Sequence, residues 1–377
     1  SPDFQTPQPR SIEDSSLFET IALDSESARR VLETALQLPK GVYEDSFQRR
    51  GVFIDSCKPI TKELEASNIG SSFRKLKNGE LVVLTITGLP RDPSLPPAPL
   101  DGGNPVGKET FVSEGLACAI AKSLGYPSLI LGEKNEALVH QITPVAGEEE
   151  SQSNAGLVDL RLHQDLAPNP EMPSLSFDTF MPDWLILTGV QTGSGRTPTY
   201  VSALDDALPQ VSDETKQILQ QEIFITAPPY SFGEVSDPNK LPKHSVLSFR
   251  DGHYESAFDT SSNVRPRDPN DSKAAQALIE LNNALSKVKR EVLIEPGTSV
   301  VFNNRRIVHG RGAVIKEEAD TGAKRWIQRI HIFNDKRFTE EATKRNLVIQ
   351  GGGGVLRVTH MGQQHLPPEF ERMLDEE

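Results

Sequence analysis

Apolar letters along this chain recur with two different periods, and the change from one to the other organises it. In the stretch from Asp24 to Leu38, a capping residue is followed by Val31, Leu32, Ala35 and Leu36 at helical spacing, which predicts a helix. A second helix is predicted over residues 113–124, closed by Gly125 and Pro127 where helices stop. Between them residues 81–86 are rich in β-formers. The proline-laden text from Gly88 to Pro99 follows, which no central strand could contain and which reads as an ordered loop or flap. Beyond residue 138 the period shortens to that of strands, with β-like segments at 138–142, 157–162, 184–188, 199–202, 299–302 and 326–333. One further helix, from Ser272 to Val288, carries an apolar stripe of Ala275, Leu278, Ile279, Leu281, Leu285 and Val288, suited to covering the outside of a sheet. Many short strands separated by Gly, Pro, Asn and Asp point to an α+β, mainly β chain built on a barrel or jelly roll with flanking helices. Residues 351–354, four glycines, read as a hinge or loop, and no repeat of fixed period is present.

Composition narrows the class. The 377 residues are 36% hydrophobic and 25% charged, which excludes a disordered, collagen-like or coiled-coil protein. The 40 basic against 53 acidic residues leave a net charge of −13, the wrong sign for neutralising phosphates, so nucleic acid is not an expected partner. Two cysteines, Cys57 and Cys118, argue against a disulfide scaffold and a thiolate zinc site, and fit a reducing compartment. The longest apolar run is six residues, Leu116 to Ala121, far short of the roughly 20 that span a bilayer, and no signal-peptide core opens the chain. The reading is a cytoplasmic protein without membrane contact. Residues 1–15 are expected to be a flexible end, and 16–377 a single domain with its β core at about 80–335 and a C-terminal extension at 336–377 that ends in the acidic stretch Glu369 to Glu377.

Candidate chemistry begins with histidine. A His-x-Asp/Glu pair puts two metal ligands on one face of a strand, because strand side chains alternate. Eight histidines in so acidic a chain give roughly one such match by chance, and two occur, His163-Gln-Asp165 and His253-Tyr-Glu255. Context favours the first: Val158, Leu160 and Leu162 alternate with Asp159, Arg161, His163 and Asp165, as a strand with one core face and one wet face requires. His253 follows Asp251-Gly252, a turn signal, and reads as a solvated loop. A third ligand candidate is His309, behind the β run 299–302. In the next strand Arg325, Ile327, Arg329 and His331 share one face. Two guanidiniums there are costly to bury unless each meets an anion, and surface salt bridges are the alternative.

Taken in order, several blocks give the chain a family resemblance: Gly88 to Pro99, Leu138-Val-His-Gln-Ile-Thr-Pro-Val145, the strand with His163 and Asp165, Thr199-Tyr-Val-Ser202, and the paired segments Asn303 to Arg311 and Arg325 to Arg329. They resemble the iron(II)- and 2-oxoglutarate-dependent oxygenases of the taurine dioxygenase and clavaminate synthase type, and within them the hydroxylases of free arginine, asparagine and lysine. The resemblance implies a double-stranded β-helix (jelly-roll, cupin-like) core. It also implies a metal triad of His163, Asp165 and His309, with iron(II), 2-oxoglutarate and dioxygen as reactants. Arg325 and Thr199 match the grip on the distal carboxylate of 2-oxoglutarate, Arg329 the arginine on the substrate carboxylate, and Gln141 the glutamine on its α-amine. Asp165 stands where the amino-acid hydroxylases usually carry glutamate, as in the taurine-type branch. Within 249–263, Asp251, Glu255 or Asp259 is a candidate for a cationic side chain of the substrate. The expected reaction is hydroxylation at carbon 3 or 4 of an amino-acid-like small molecule, with succinate and carbon dioxide released. A taurine-type oxygenase on another small carboxylate or sulfonate, a desaturase or epoxidase outcome, a zinc hydrolase and a non-catalytic jelly-roll binder are the alternatives, and the oligomeric state stays open.

Overall fold

A computed structural model describes residues 10–11, 15–44, 47–130, 137–150, 153, 156, 160–165, 181–226, 243–258, 264–314, 324–334, 350–351 and 355–358. Helix α1 (Ser25–Ala35) starts at the expected cap, where the Asp24 carboxylate accepts the Ser27 amide at 2.8 Å. Three short helices that the apolar spacing does not announce follow: α2 (Phe47–Ser56), α3 (Lys58–Ala66) and α4 (Gly70–Asn78). Each buries only a few large side chains, among them Phe53, Ile54, Ile60, Leu64, Phe73 and Leu76, too few per turn for the period to show. Helix α5 (Val112–Leu124) is buried on almost every side, as a helix apolar all round must be. It stops at Gly125, as the sequence predicts.

The strands form two principal sheets. One has the order β1 (Arg10–Ser11), β13 (Arg290–Val292), β8 (Thr199–Ala203), β15 (Ile307–Arg311), β6 (Leu160–His163). The other, nine-stranded, runs β17 (Gln350–Gly351), β18 (Val355–Val358), β4 (Tyr126–Ile130), β16 (Trp326–Phe333), β7 (Trp184–Gln191), β14 (Ser299–Asn303), β3 (Val83–Thr87), β2 (Phe18–Ala22), with β5 (His140–Ile142) also pairing β16. Val201, Ala203, Val292 and Ile307 of the first sheet pack with Val83, Leu185, Leu187, Val300, Phe302 and Ile327 of the second, so the sheets face each other across one apolar core. On the far side of the nine-stranded sheet, α5 rests on β7 and β16 with α3 behind it.

Outside the smaller sheet lie α6 (Leu204–Ala207), α7 (Asp213–Leu219) and α8 (Ser272–Val288), whose Leu281, Leu285 and Val288 pack with Leu162 and Val308. The bounds and the location of α8 match the expectation, but its buried stripe is rotated. Ala274, Ala277 and Ala284 are buried, while Ile279 is exposed. Small residues let the helix approach closely, and that, rather than side-chain size, chooses the face. Two-stranded pairs complete the fold, β9 (Phe224–Thr226) with β12 (Val264–Pro266), and β10 (Leu247–Arg250) with β11 (His253–Ser256). The second pair corrects the loop expected around His253: Asp251 and Gly252, with φ of 52° and 82°, are the two-residue turn of a hairpin.

Candidate metal centre

Adjacency of β6 and β15 brings the distant histidines together. The strands run antiparallel with His309 directly opposite His163, their rings 4.3 Å apart. Asp165 lies just past the end of β6 and turns back toward them. Its Oδ1 is 3.3 Å from His163 Nε2 and 3.4 Å from His309 Nε2, and the three ligand-capable atoms all fall within 4.8 Å of one another. Among the described residues this is the one group of three such side chains. His163 Nδ1 lies 2.7 Å from the Arg161 carbonyl and so carries the proton, which leaves the Nε2 lone pair aimed at the centre. Burial, then the neighbouring His163, pushes His309 down to about 3, so His309 is neutral at physiological pH. Burial alone raises the Asp165 carboxyl; the Arg329 guanidinium, then His309, His163 and His331 outweigh it and hold the carboxyl well below the usual carboxylate range. Two imidazole lone pairs and one carboxylate oxygen, all deprotonated, fit a divalent transition metal with positions left for other ligands.

The two arginines divide. Arg325 is buried immediately before β16, and its guanidinium donates to Thr199 Oγ1 at 3.4 Å. Arg329, one strand period pair along the same face, donates through Nη1 to Asp165 Oδ2 at 3.0 Å and through Nη2 to His140 Nδ1 at 2.9 Å. Because His140 Nε2 lies 3.0 Å from the Ala137 carbonyl, the proton sits there and Nδ1 is the acceptor. His331 Nε2 also reaches Asp165 Oδ2 at 3.0 Å. Gln141 is not brought to this face. It is opposite Gln328, and its Oε1 accepts Trp326 Nε1 at 2.8 Å on the reverse side of β16, where Tyr43 and Glu114 complete a buried network. His253 is on the β10–β11 hairpin and, among the described residues, part of no such cluster; Asp251 and Glu255 are on that hairpin too, and Asp259 is outside the described residues.

Several residues that shape the centre carry no local signal. Asn304 accepts the Asp165 amide at 3.1 Å and donates to the Asp165 carbonyl at 3.0 Å. Gln164, between the paired ligand candidates, accepts the Phe258 amide at 2.8 Å and donates to the Asn304 carbonyl at 2.9 Å. The partners of these residues, and of His331, are 94 to 166 positions away along the chain, so only periodicity on β16, in the case of His331, hinted at any of them.

Sheet order and site together define a class of non-haem metal enzyme, and comparison with known proteins specifies it. No family model matches the chain. The L-asparagine oxygenase of Streptomyces coelicolor is 32% identical over 256 residues, covering 67% of this chain and 72% of that protein. Clavaminate synthase 2 of Streptomyces clavuligerus is 24% identical over 256 residues, 67% of this chain and 74% of that one. The crystal structure of asparagine oxygenase with Fe(II), (2S,3S)-3-hydroxyasparagine and succinate superposes with a TM-score of 0.72 at 25% identity, over 90% of this chain and 99% of that one. The chain belongs to the iron(II)- and 2-oxoglutarate-dependent oxygenases of the taurine dioxygenase and clavaminate synthase type. Iron(II), 2-oxoglutarate and dioxygen are accordingly its cofactor and co-substrates.

Proposed function

We propose that the protein hydroxylates carbon 3 or 4 of a free amino acid or a close derivative, using His163, Asp165 and His309 to hold iron. The convergence of these three ligand atoms within 4.8 Å, beside the Arg325–Thr199 pair, carries the reading. The relative named L-asparagine oxygenase supports the substrate class. The two facing sheets support a double-stranded β-helix core at about 80–335 within one domain, 16–377. Bound at the triad, iron(II) supplies oxygen activation coupled to decarboxylation of 2-oxoglutarate.

The protein's own contribution is orientation and exclusion of water. Arg325 offers a buried two-pronged donor, with the Thr199 hydroxyl beside it, to the distal carboxylate of 2-oxoglutarate. Arg329 exchanges its Asp165 contact for the substrate α-carboxylate, a like-for-like swap of one carboxylate for another. His140, which braces Arg329, also lines a cavity of about 530 Å³ shared with Tyr43, Arg50, Asp101 and Asn104, roomy and polar enough for a small zwitterion. Gln141 lines the same cavity, but its side-chain amide is already bonded to Trp326 and Tyr43, so our reading gives the α-amine contact to the other lining groups. A side chain held by its α-carboxylate presents one carbon to the metal, so distance from that anchor chooses the position oxidised.

The test is succinate release and oxygen uptake by the iron-loaded enzyme across the twenty free amino acids. Substrate-stimulated release with a product heavier by one oxygen is expected, whereas a product lighter by two hydrogens reassigns the enzyme as a desaturase. His309→Ala abolishes turnover and His253→Ala preserves it. Arg325→Ala raises the KM for 2-oxoglutarate, and Arg329→Ala that for the amino acid, by at least tenfold each; equal effects on both ligands defeat this division of labour.

A further inference from the structure

The carboxylate of Asp165 is the shortest acidic ligand available, and its two oxygens are not treated alike. Oδ1 faces the two histidine Nε2 atoms, while Oδ2 receives Arg329 Nη1 and His331 Nε2, each at 3.0 Å. Rotation about the carboxylate torsion is soft and exchanges the oxygens, so something must hold it. Of the two donors, Arg329 is the one that the proposed substrate carboxylate draws away. His331 is claimed by no reactant. It is 1% exposed, rises from the middle of β16 on the face opposite α5, and is braced edge-on by His140 at 5.0 Å and 89°.

We propose that His331 is a positioning residue that pins Asp165 Oδ2, so that Oδ1 stays directed at the metal when Arg329 turns to substrate. The inference rests on the reading of His163, Asp165 and His309 as the metal site. It predicts that His331 acts through a donated hydrogen bond at one place in space, about where the side-chain amide nitrogen of a glutamine would also lie. It acts on the metal before any substrate or oxygen is present, since the bond is to the ligand itself.

The experiment is an anaerobic titration of the metal-free protein with Co(II), in competition with a chromophoric chelator, reading both the dissociation constant and the d–d absorption of the bound ion. Wild type is compared with His331→Leu and His331→Gln. Partners of metal ligands are typically worth about 10- to 100-fold in affinity, so that loss is expected in H331L together with a shifted absorption band. H331Q, which restores a donor near Oδ2, recovers affinity to within about threefold of wild type, by the same reasoning. A purely space-filling role would leave H331L no weaker than H331Q, because leucine occupies a similar volume and such a role needs no donor. Should H331L fail to fold by circular dichroism, H331N takes its place, polar but too short to reach Oδ2. Wild-type affinity and spectrum in H331L or H331N overturn the inference alone. A wild-type protein that binds no Co(II) overturns the metal site and the inference with it.

Discussion

At the scale of single residues, the centre depends on an amide that touches no reactant. Asn304 satisfies both the N–H and the C=O of Asp165, groups that burial would otherwise leave orphaned, and it also reaches the Pro182 carbonyl at 3.2 Å. An unmet buried backbone group costs about 1–3 kcal/mol. Asn304→Ala is therefore expected to lower unfolding stability by about that amount in a urea titration, and to weaken Co(II) binding measurably because Asp165 loses its anchor. Unchanged metal affinity in the variant would mean that the clasp serves the fold alone. Nothing in the local text marks this residue, since an asparagine beside two arginines is ordinary loop composition. His163, by contrast, was readable because a ligand-type pair sat on the polar phase of an alternating strand.

Elements bring a different constraint, the distance between backbones. At Gly310, between His309 and Arg311, an added Cβ would stand 2.5 Å from the Leu160 carbonyl oxygen and 3.2 Å from the Arg161 carbonyl carbon, both on β6. The pairing of β15 with β6 shifts register between His309 and Arg311, so the close approach at Gly310 lies next to the pair in which the histidines face each other. Gly310→Ala must push β6 outward and carry His163 away from His309. We expect a stability loss of about 1–3 kcal/mol, the usual cost of overpacking, and a loss of Co(II) affinity of about tenfold or more. Co(II) affinity within twofold of wild type would show that β6 yields without moving its histidine. Strand β16 was legible from its sequence to the residue, because its run of large apolar and β-branched side chains is unbroken by Gly or Pro, and Arg325, Arg329 and His331 fall on one phase of it. The face of α8 was legible only in part, since Leu281, Leu285 and Val288 are buried as expected but alanines set the rest of it. Helices α2 to α4 were not legible, because their burial depends on meeting α5.

For the whole molecule, buried imidazoles make stability depend on pH. His244 is held at about 4 by burial, partly offset by the Ser245 carbonyl, and its ring meets Thr226 Oγ1 at 2.6 Å. Unfolded, it binds a proton near 6.5; folded, it resists until about 4. The unfolded state thus holds more protons throughout that window, and stability falls as pH drops from about 6.5 to 4, by up to about 3 kcal/mol from this residue. His309, lowered to about 3, adds in the same sense when no metal is bound. Urea midpoints measured at intervals between pH 7 and pH 4.5 should show the decline, with a shallower slope in His244→Gln; a flat profile would contradict the buried neutral state.

The sequence by itself determined that short strands are combined with flanking helices, the bounds of β16 and α8, and the types of ligand on offer, because periodicity and residue chemistry are local properties. It also held a family likeness spread over several blocks, each weak alone. Only the tertiary structure decided that Oδ2 of Asp165 is held by Arg329 and His331, that Gln141 faces away, and that Asn304 and Gln164 clasp the ligand pair. Those facts turn on which strands become neighbours and at what register, and pairing between segments more than a hundred residues apart leaves no pattern in either segment alone.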